Sequence, residues 1–480
     1  MTPFWAIALV VDYVLVPFVI ASVLRRRREP MAMLAWILVI LLMPYLGMGL
    51  YLLMGSNRVV RRTRRRRRRV AHLITKLEFW TKQHVERGGS GFEPHLAEDL
   101  RGVAQLGQRL GGMPAVAGNT VRLYQEANET YAALEAVIRA ARHHVHMEYY
   151  IWRPDETGLH FRDLLVERAR AGVACRLLLD SVGCWRLGRG FLQPLKAAGV
   201  DVVFFLPLRP FGRRFSPHMR NHRKIAVVDG QVAFLGSQNI GDEYRGRLRR
   251  LSPWYDTHMR IDGPAALFVQ RTFAEDWLYA AHENIVGEEY FPQPSRPGES
   301  IVQILATGPD QNVSPLDHIL FAAVSSAQRS IRIATPYFVP GPGLRMALIH
   351  ACSRGVEVKL VLPSRTDATV TLWAARSFYE ELLEAGARIY EYEAGVLHSK
   401  IVTVDDRWCM LGSANMDVRS FRLNFEVTGL IYDTDVSRAL AESIEHFCRR
   451  ARYIALRDVR ERGLPRELLE GVARILTPLL

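Results

Sequence analysis

Residues 222–229 read HRKIAVVD, with GSQN following at 236–239, and residues 398–405 read HSKIVTVD, with GSAN following at 412–415. His, Lys, Asp, Gly, Ser and Asn recur at identical internal spacing, each 176 positions after its counterpart, as 398 is after 222. One short motif of this kind arises by chance, but two copies in the same register do not. The sequence therefore predicts a duplicated unit.

Each copy predicts a β-strand that runs into a turn. The β-branched residues of 225–228 and 401–404 favour strands, and Asp229 and Asp405 are turn formers. From their position at the strand ends, we interpret both aspartates as turn and hydrogen-bond anchors rather than proton-transfer groups.

The motif histidine and lysine of each copy are predicted to share one face of the chain. Residues two apart in a strand point the same way, so His222 accompanies Lys224, and His398 accompanies Lys400. If the halves meet across a pseudo-two-fold axis, they form one pocket with two opposed imidazoles and two lysines between them.

Such a pocket suits a phosphodiester. The two lysines would neutralise the non-bridging oxygens, and the amides of Asn239 and Asn415 would add hydrogen-bond donors. One imidazole can attack phosphorus while the other protonates the departing alkoxide from the opposite side. We therefore expect chemistry that needs neither a metal nor another cofactor.

The duplicated stretches resemble the paired HKD motifs of the phospholipase D superfamily. Within that superfamily the chain is similar to the bacterial cardiolipin synthases. Further stretches support the narrower resemblance: EYYI at 148–151, WYDTH at 254–258, TPYFVP at 335–340, RSF at 419–421 and LNFE at 423–426. The resemblance implies transfer of a phosphatidyl group between two phosphatidylglycerol molecules through a phosphohistidine, giving cardiolipin and glycerol.

The resemblance also assigns roles to the motif residues. His222 would be the nucleophile, an assignment that internal symmetry alone cannot make, and His398 the general acid and base. The catalytic set that it implies is His222, Lys224, Asp229, His398, Lys400 and Asp405.

A nucleophilic histidine needs an acceptor that fixes its tautomer. Asp256 and Glu426 occupy corresponding strands after each GSxN stretch, so we expect Asp256 to pair with His222 and Glu426 with His398. The serines of the two GSxN stretches are further candidates for this supporting layer: Ser237 and Ser413.

Charge and hydropathy predict a membrane segment at the amino terminus. Residues 4–24 and 31–54 are apolar runs long enough to cross a bilayer, and 13 arginines beside them supply nearly all of the net charge of +14. A retained hairpin fits better than a cleaved signal peptide, because the arginines follow the first run. Two full crossings and a re-entrant hairpin stay open. We expect contact with anionic lipid, the bacterial inner membrane as location and a cytoplasmic catalytic body.

The remaining chain of 480 residues divides by pattern. We predict a hairpin over 1–57, a basic linker with connecting helices over 58–112, and two α/β halves over 113–297 and 298–480. Alternating helices and strands predict a buried, largely parallel sheet. Five scattered cysteines, with no C-x-x-C, argue against disulfides and zinc and fit a reducing compartment.

Alternatives remain at this stage. Another enzyme of the superfamily, a phospholipid hydrolase or a transferase to another alcohol, would share every motif residue. A nuclease would leave the hairpin unexplained, so we expect no nucleic-acid partner; a non-catalytic scaffold would not need intact motifs. A homo-oligomer stays open.

Three other features carry smaller predictions. The aromatic and basic loop at 207–220 suits a lipid interface. Glu148 either lines the pocket or is solvated. The histidines at 143, 144 and 146 lack partners at metal-ligand spacing.

Overall fold

A computed structural model describes residues 14–25, 30–51, 75, 78–79, 96–207, 219–248, 252–311, 313–366 and 368–477. The described residues up to 51 belong to one compact unit, and those from 75 onward belong to a second. The loop at 208–218 and the arginine run at 58–69 lie outside the described residues, as does the first part of the first apolar run.

The described residues of the amino-terminal unit form three apolar helices: α1 Val16–Leu24, α2 Pro30–Leu42 and α3 Pro44–Leu50. The second apolar run is broken at Met43, whose backbone is not helical (φ −138°, ψ 71°), because the proline at 44 disfavours a helical residue before it. Trp36 and Tyr51 meet edge to face at 5.5 Å. Within the described chain, no helix combines the length and apolar character needed to cross a bilayer.

In the second unit, helix α4 precedes the two repeated halves. The strands of the first half are β1 Val116–Tyr124, β2 His144–Tyr149, β3 Ala174–Asp180, β4 Asp201–Phe205, β5 Arg220–Asn221, β6 Lys224–Val228, β7 Val232–Gly236, β8 Trp254–Tyr255 and β9 His258–Asp262. The helices up to this point are α4 Glu98–Gly111, α5 Ala127–Arg139, α6 Glu156–Arg170, α7 Arg189–Ala197 and α8 Ala265–Ala281.

The second half repeats this order. Its strands are β10 Ser300–Thr307, β11 Ser330–Ala334, β12 Glu357–Pro363, β13 Arg388–Tyr392, β14 Val396–Leu397, β15 Ile401–Val404, β16 Trp408–Gly412, β17 Asn424–Tyr432 and β18 Ala451–Ile454. Its helices are α9 Pro315–Ser326, α10 Pro342–Ser353, α11 Thr369–Arg376, α12 Tyr379–Glu384, α13 Val418–Arg422, α14 Thr434–Arg449, α15 Leu456–Arg460 and α16 Leu464–Ile475.

One continuous sheet joins the two halves. Its order is β18-β13-β12-β11-β15-β16-β17-β10-β1-β9-β7-β6-β2-β3-β4, with β5 paired to β17. Each half follows the same order outward from the central antiparallel pair β1 and β10, as a pseudo-two-fold axis requires. The predicted duplicated α/β fold is confirmed.

The prediction of a largely parallel sheet was wrong. Only β2-β3-β4 and β11-β12-β13 run parallel within the main path of the sheet, and the strands that carry the motif lysines pair antiparallel on both sides. The cause is local: β6 and β15 reach their next strands through tight turns, and a turn of that length joins only antiparallel neighbours.

The motif aspartates make those turns. Asp229 and Asp405 both adopt positive φ, 51° and 56°. The carboxylate of Asp229 accepts the backbone N–H groups of residues 142, 143 and 144 at 2.8 Å each. Asp405 does the same for residues 328, 329 and 330 at 2.7–2.9 Å. The predicted role as turn and hydrogen-bond anchors is confirmed, because each carboxylate ties its turn to the start of the neighbouring strand.

Each half has its own apolar core, and the two also pack together. Helix α4 precedes the first half in sequence, yet its Val103 and Ala104 join the core of the second half with Leu305. Strand β7 lies against β16 and β17. Met259 of β9 occupies the space that a side chain at Gly429 of β17 would fill. The halves are therefore in direct contact along the strands that lead to the motifs.

Candidate active site

Each motif histidine is reached by a short strand that pairs with the other half. Strand β5 pairs parallel with the start of β17, and the N–H of His222 donates to the carbonyl of Phe425 at 2.9 Å. Strand β14 pairs parallel with β8, and the N–H of His398 donates to the carbonyl of Tyr255 at 2.8 Å. The backbone thus places each imidazole beside the other half's strand.

The supporting carboxylates consequently pair crosswise. His222 Nδ1 lies 3.0 and 3.1 Å from the two carboxylate oxygens of Glu426, and His398 Nδ1 lies 2.7 Å from Asp256 Oδ1. The expected pairing of Asp256 with His222 and of Glu426 with His398 was wrong. In each case the carboxylate belongs to the residue after the one whose carbonyl holds the histidine N–H, so the inter-half pairing sets the partner.

The GSxN serines hold these carboxylates in place. Ser413 Oγ donates to Glu426 Oε2 at 2.5 Å and accepts the N–H of Val427 at 3.0 Å. Ser237 Oγ donates to the carbonyl of Thr257 and accepts its N–H, both at 3.0 Å, and its hydroxyl helps to lower the pKa of Asp256. The glycine before each serine fits because a Cβ there would strike the carbonyl of the adjacent strand.

Burial favours the neutral form of both imidazoles, while nearby cations and hydrogen-bond donors favour the charged form of both carboxylates. Burial lowers the pKa of His222 to about 4, against the opposing effect of Glu426. Burial and Lys400 lower the pKa of His398. For Asp256 and Glu426, burial favours the neutral acid, but the partner imidazole, a motif lysine and the neighbouring serine together outweigh it and lower the pKa of both carboxyls. A proton on Nδ1 would therefore be held by the carboxylate, leaving Nε2 of each ring with a free lone pair.

The two motif lysines lie close to the histidines of both halves. Lys224 and Lys400 are fully buried, and each Nζ donates to the carbonyl of its own histidine, at 2.6 and 2.7 Å. Lys400 is close enough to lower the pKa of His222, and Lys224 lowers that of His398. Burial lowers the pKa of Lys224 to about 7. Four motif side chains from both halves thus form one cationic site.

The two motif asparagines are buried beside this site. Asn239 Oδ1 accepts the N–H of Ile151 at 3.1 Å. The backbone N–H of Asn415 donates to Ser420 Oγ at 3.0 Å, while its buried side-chain oxygen meets no donor among the described residues. Their role in holding a phosphate stays a prediction.

Asp229 and Asp405 are not in the site. Each ends a strand that begins beside the motif lysine, so Asp229 lies about 16 Å from Lys224 along β6. Of the residues that the resemblance places in the catalytic set, these two make their hydrogen bonds to the scaffold.

Sequence reasoning missed a buried charge network behind His222. The guanidinium of Arg223 pairs with Asp276 and donates to the carbonyls of Glu426 and Thr307, at 3.0 and 3.1 Å. Glu148 is buried, hydrogen-bonded by the amide of Asn221, and burial together with Asp276 raises its pKa well above the usual range. Glu148 is therefore neither solvated nor a charged pocket wall. The sequence did contain an indication of this network, because Arg223 is a charged residue between His222 and Lys224, which were both expected in the site.

Two aromatic rings also escaped prediction as neighbours of the imidazoles. Tyr150 meets His222 edge to face with centroids 4.9 Å apart, and Lys224 Nζ lies 5.3 Å from the centre of the same ring. Trp254 lies 5.3 Å from His398, and its indole N–H donates to Asp256 Oδ2 at 2.8 Å. These rings restrict both imidazoles to one orientation.

The histidine cluster near 144 is part of the core. His144 and His146 pack against Tyr290, and His146 stacks on Phe273 with its Nδ1 3.0 Å from Gln270. In the portion of the chain that the structure describes, no group of three or more His, Cys, Asp or Glu residues is arranged to hold a metal ion.

Comparison with known proteins agrees with this geometry. Residues 134–264 and 320–448 match the family described as "Cardiolipin synthase, PLD-like domain", and residues 14–56 match "Phospholipase_D-nuclease N-terminal". The cardiolipin synthase of Geobacillus kaustophilus is 38% identical over 467 residues, covering 96% of this chain and 92% of its own length. The chain belongs to the cardiolipin synthase family of the phospholipase D superfamily. Cardiolipin synthase 2 of Bacillus anthracis is 37% identical, covering 94% of this chain and 88% of that protein.

Solved structures share the fold of this family member at low sequence identity. Phosphatidylserine synthase from Haemophilus influenzae aligns with a TM-score of 0.59 and 15% identity, covering 78% of this chain and 99% of that one. Polyphosphate kinase from Porphyromonas gingivalis aligns with a TM-score of 0.50 and 14% identity, covering 76% of this chain and 52% of that one.

Proposed function

We propose that this phosphatidyltransferase of the phospholipase D superfamily makes cardiolipin from two molecules of phosphatidylglycerol. The observation that carries the proposal is the crosswise site, in which each half orients the other half's imidazole and both halves contribute a buried lysine. Relatives named cardiolipin synthase, similar over nearly the whole chain, support the choice of reaction.

In the first step, His222 Nε2 attacks the phosphorus of one phosphatidylglycerol. The bond from phosphorus to the terminal glycerol oxygen breaks, and His398 gives its proton to that oxygen, so free glycerol leaves. The phosphatidyl group is then bonded to His222. Lys224 and Lys400 neutralise the non-bridging oxygens, whose charge grows as the imidazole attacks.

In the second step, His398 removes the proton from the terminal hydroxyl of another phosphatidylglycerol. The resulting alkoxide attacks the same phosphorus, the bond to His222 breaks, and cardiolipin is released. His398 regains its proton in this step, so the cycle balances in protons and leaves the enzyme unchanged.

The choice of His222 as nucleophile has electrostatic support. Attack requires a neutral ring, and His222 has its pKa lowered to about 4. A general acid must hold a proton, and His398 has the shorter contact to its carboxylate, 2.7 Å against 3.0 Å. An arriving phosphodiester anion raises the pKa of both rings, which favours a protonated His398 in the loaded enzyme.

Transfer instead of hydrolysis requires that a lipid hydroxyl outcompete water. The side chains of His222 and His398 are only 11% and 16% exposed, so little water reaches the reacting nitrogens in this structure. The two rings that flank the imidazoles narrow the access further. A second lipid that fills the remaining opening would exclude water during the second step.

Product analysis tests this function. Purified enzyme in phosphatidylglycerol vesicles should release one glycerol for each cardiolipin formed, as measured by mass spectrometry of lipids and glycerol. His222→Ala should abolish both products, whereas His160→Ala, at an exposed surface histidine, should change neither. Phosphatidic acid with no cardiolipin would indicate a hydrolase instead, and cardiolipin formation only in the presence of phosphatidylethanolamine would identify a different second lipid.

We also infer that the enzyme belongs to the bacterial inner membrane with its catalytic unit in the cytoplasm. The arginine runs at 25–28 and 58–69 support this, because basic segments beside apolar runs tend to stay cytoplasmic. Of the five free cysteines only Cys352 is partly exposed. A membrane-impermeant maleimide should label Cys352 only after the inner membrane is opened; labelling of intact spheroplasts would place the unit outside.

A further inference from the structure

The last helix, α16, exposes its apolar side. Leu464, Leu468, Val472 and Ile475 are 66%, 60%, 57% and 64% exposed, and Leu469 is 47% exposed. At about 100° per residue these side chains cover one continuous arc of roughly 140°. A helix at the surface of a soluble protein normally turns such an arc inward.

The side of α16 that touches the protein is polar or small. Glu470 and Ala473 are its buried residues. Glu470 pairs with Arg462 and Arg466 at 3.3 Å each. The guanidinium of Arg474 lies 4.7 Å from the centre of the Phe378 ring. The helix is therefore seated on the catalytic unit mainly by side chains opposite the apolar arc.

Arginines border α16, and most of them pair with carboxylates. Residues 449–477 contain eight arginines and four acidic residues, and Glu380, Glu381 and Glu384 of α12 pair with three of those arginines, which leaves a net charge of +1. The side chain of Arg457 is 81% exposed, and those of Arg460, Arg466 and Arg474 are 54%, 49% and 43% exposed. An apolar arc with arginines around it matches an anionic lipid surface, where the leucines enter the acyl boundary and the guanidinium groups meet phosphates.

A second copy of the chain fits this arc less well. The helix is twelve residues long, so its arc measures about 18 Å by 10 Å. A stable dimer needs roughly 800 Å² on each partner, several times that patch. A bilayer has no such minimum, since the helix only has to lie in its surface.

We propose that α16 is an interfacial helix, by which the catalytic unit docks on an anionic bilayer through Leu464, Leu468, Leu469, Val472 and Ile475. The docking belongs to the catalytic unit itself and does not depend on the amino-terminal helices. It also does not depend on which reaction the site performs, so its test is separate from that of the proposed function.

An environment-sensitive dye tests the docking directly. A Cys352→Ser background leaves only buried cysteines, and Leu468→Cys or Glu467→Cys then places a nitrobenzoxadiazole dye on the apolar arc or beside it. In full-length enzyme reconstituted in phosphatidylglycerol vesicles, the dye at 468 should shift to the blue and be quenched by doxyl-labelled lipid, while the dye at 467 should do neither. Equal, water-like emission at both positions would overturn the proposal. Burial that depends on protein concentration and not on lipid would identify a second copy and would also overturn it.

A charged residue in the apolar arc tests whether turnover on vesicles requires the arc to contact lipid. Leu468→Glu should lower turnover of phosphatidylglycerol in vesicles about tenfold, because removing one leucine from the acyl boundary costs a free energy equivalent to about a tenfold loss of binding. Turnover in detergent micelles should stay at the level of the unaltered enzyme, which shows that the fold is intact. Val313→Glu, at a valine 45% exposed elsewhere, is the matched control. Equal loss in vesicles and micelles, or no loss in either, would contradict the proposal.

Discussion

Glu426→Gln and Asp256→Asn should impair different chemical steps, because each carboxylate orients the imidazole of the opposite half. The change keeps the size of each side chain and removes its charge. Glu426 contacts Nδ1 of His222, so its loss should slow attack on phosphorus. Asp256 contacts Nδ1 of His398, so its loss should slow proton transfer to the leaving oxygen.

The magnitude follows from the buried contacts. A hydrogen bond to a charged group in such a site contributes about 1.5–3 kcal/mol, and each 1.36 kcal/mol is about tenfold in rate. We expect about a tenfold to a hundredfold loss of phosphatidylglycerol turnover in either variant, with a further loss in each case from the wrong imidazole tautomer.

An activated substrate separates the two variants. A phosphatidyl diester whose leaving group is p-nitrophenolate needs no proton from a general acid, so a rapid burst of p-nitrophenolate reports attack alone. Asp256→Asn should recover most of its burst rate with this substrate, and Glu426→Gln should not. Recovery by Glu426→Gln with none by Asp256→Asn would refute the crosswise assignment of roles.

Three further predictions test other parts of the account. With the activated substrate, kcat/KM should fall as the pH drops through about 4, because protonated His222 cannot attack, and should fall again as the pH rises through about 7, because Lys224 loses its charge. Lys224→Arg should remove only the fall at alkaline pH. A fall on the acid side near pH 6.5 would contradict the lowered pKa of His222. Asp229→Asn should lower the free energy of unfolding by about 2 kcal/mol in thermal denaturation, since one amide oxygen cannot serve three N–H donors, while turnover of the folded enzyme changes little; lost turnover at unchanged stability would instead make Asp229 catalytic. Gly429→Val should cost about 1–3 kcal/mol by pressing on Met259 across the two halves, and Met259→Ala should restore part of it; independent effects of the two changes would contradict the contact between the halves.

The repeated motif was enough to predict the duplicated fold and the shared site. The 176-residue register implies two equivalent units, and the i, i+2 spacing of each His and Lys puts both groups on one face. The turn role of Asp229 and Asp405 could also be predicted, because an aspartate at a strand end readily accepts backbone N–H groups. These features depend on local sequence or on an internal repeat, and both can be recognised in the sequence alone.

The features that sequence reasoning missed depend on contacts between residues that are distant in sequence, several of them in opposite halves. The sequence identified Asp256 and Glu426 as partners of the imidazoles. It could not show which imidazole each carboxylate contacts, because that depends on the pairing of β5 with β17 and of β14 with β8. The packing of α4 on the second half is equally non-local. Glu148 was misjudged because its neighbour Asp276 is 128 positions away in sequence.

The stereochemistry of transfer at phosphorus tests the central claim most directly. If one site carries out two in-line displacements through His222, each step inverts the phosphorus, and the two together retain its configuration. Phosphatidylglycerol with a single sulfur of known configuration on phosphorus should therefore give phosphorothioate cardiolipin with net retention. Net inversion would mean direct transfer from lipid to lipid without a phosphohistidine, and would contradict the account.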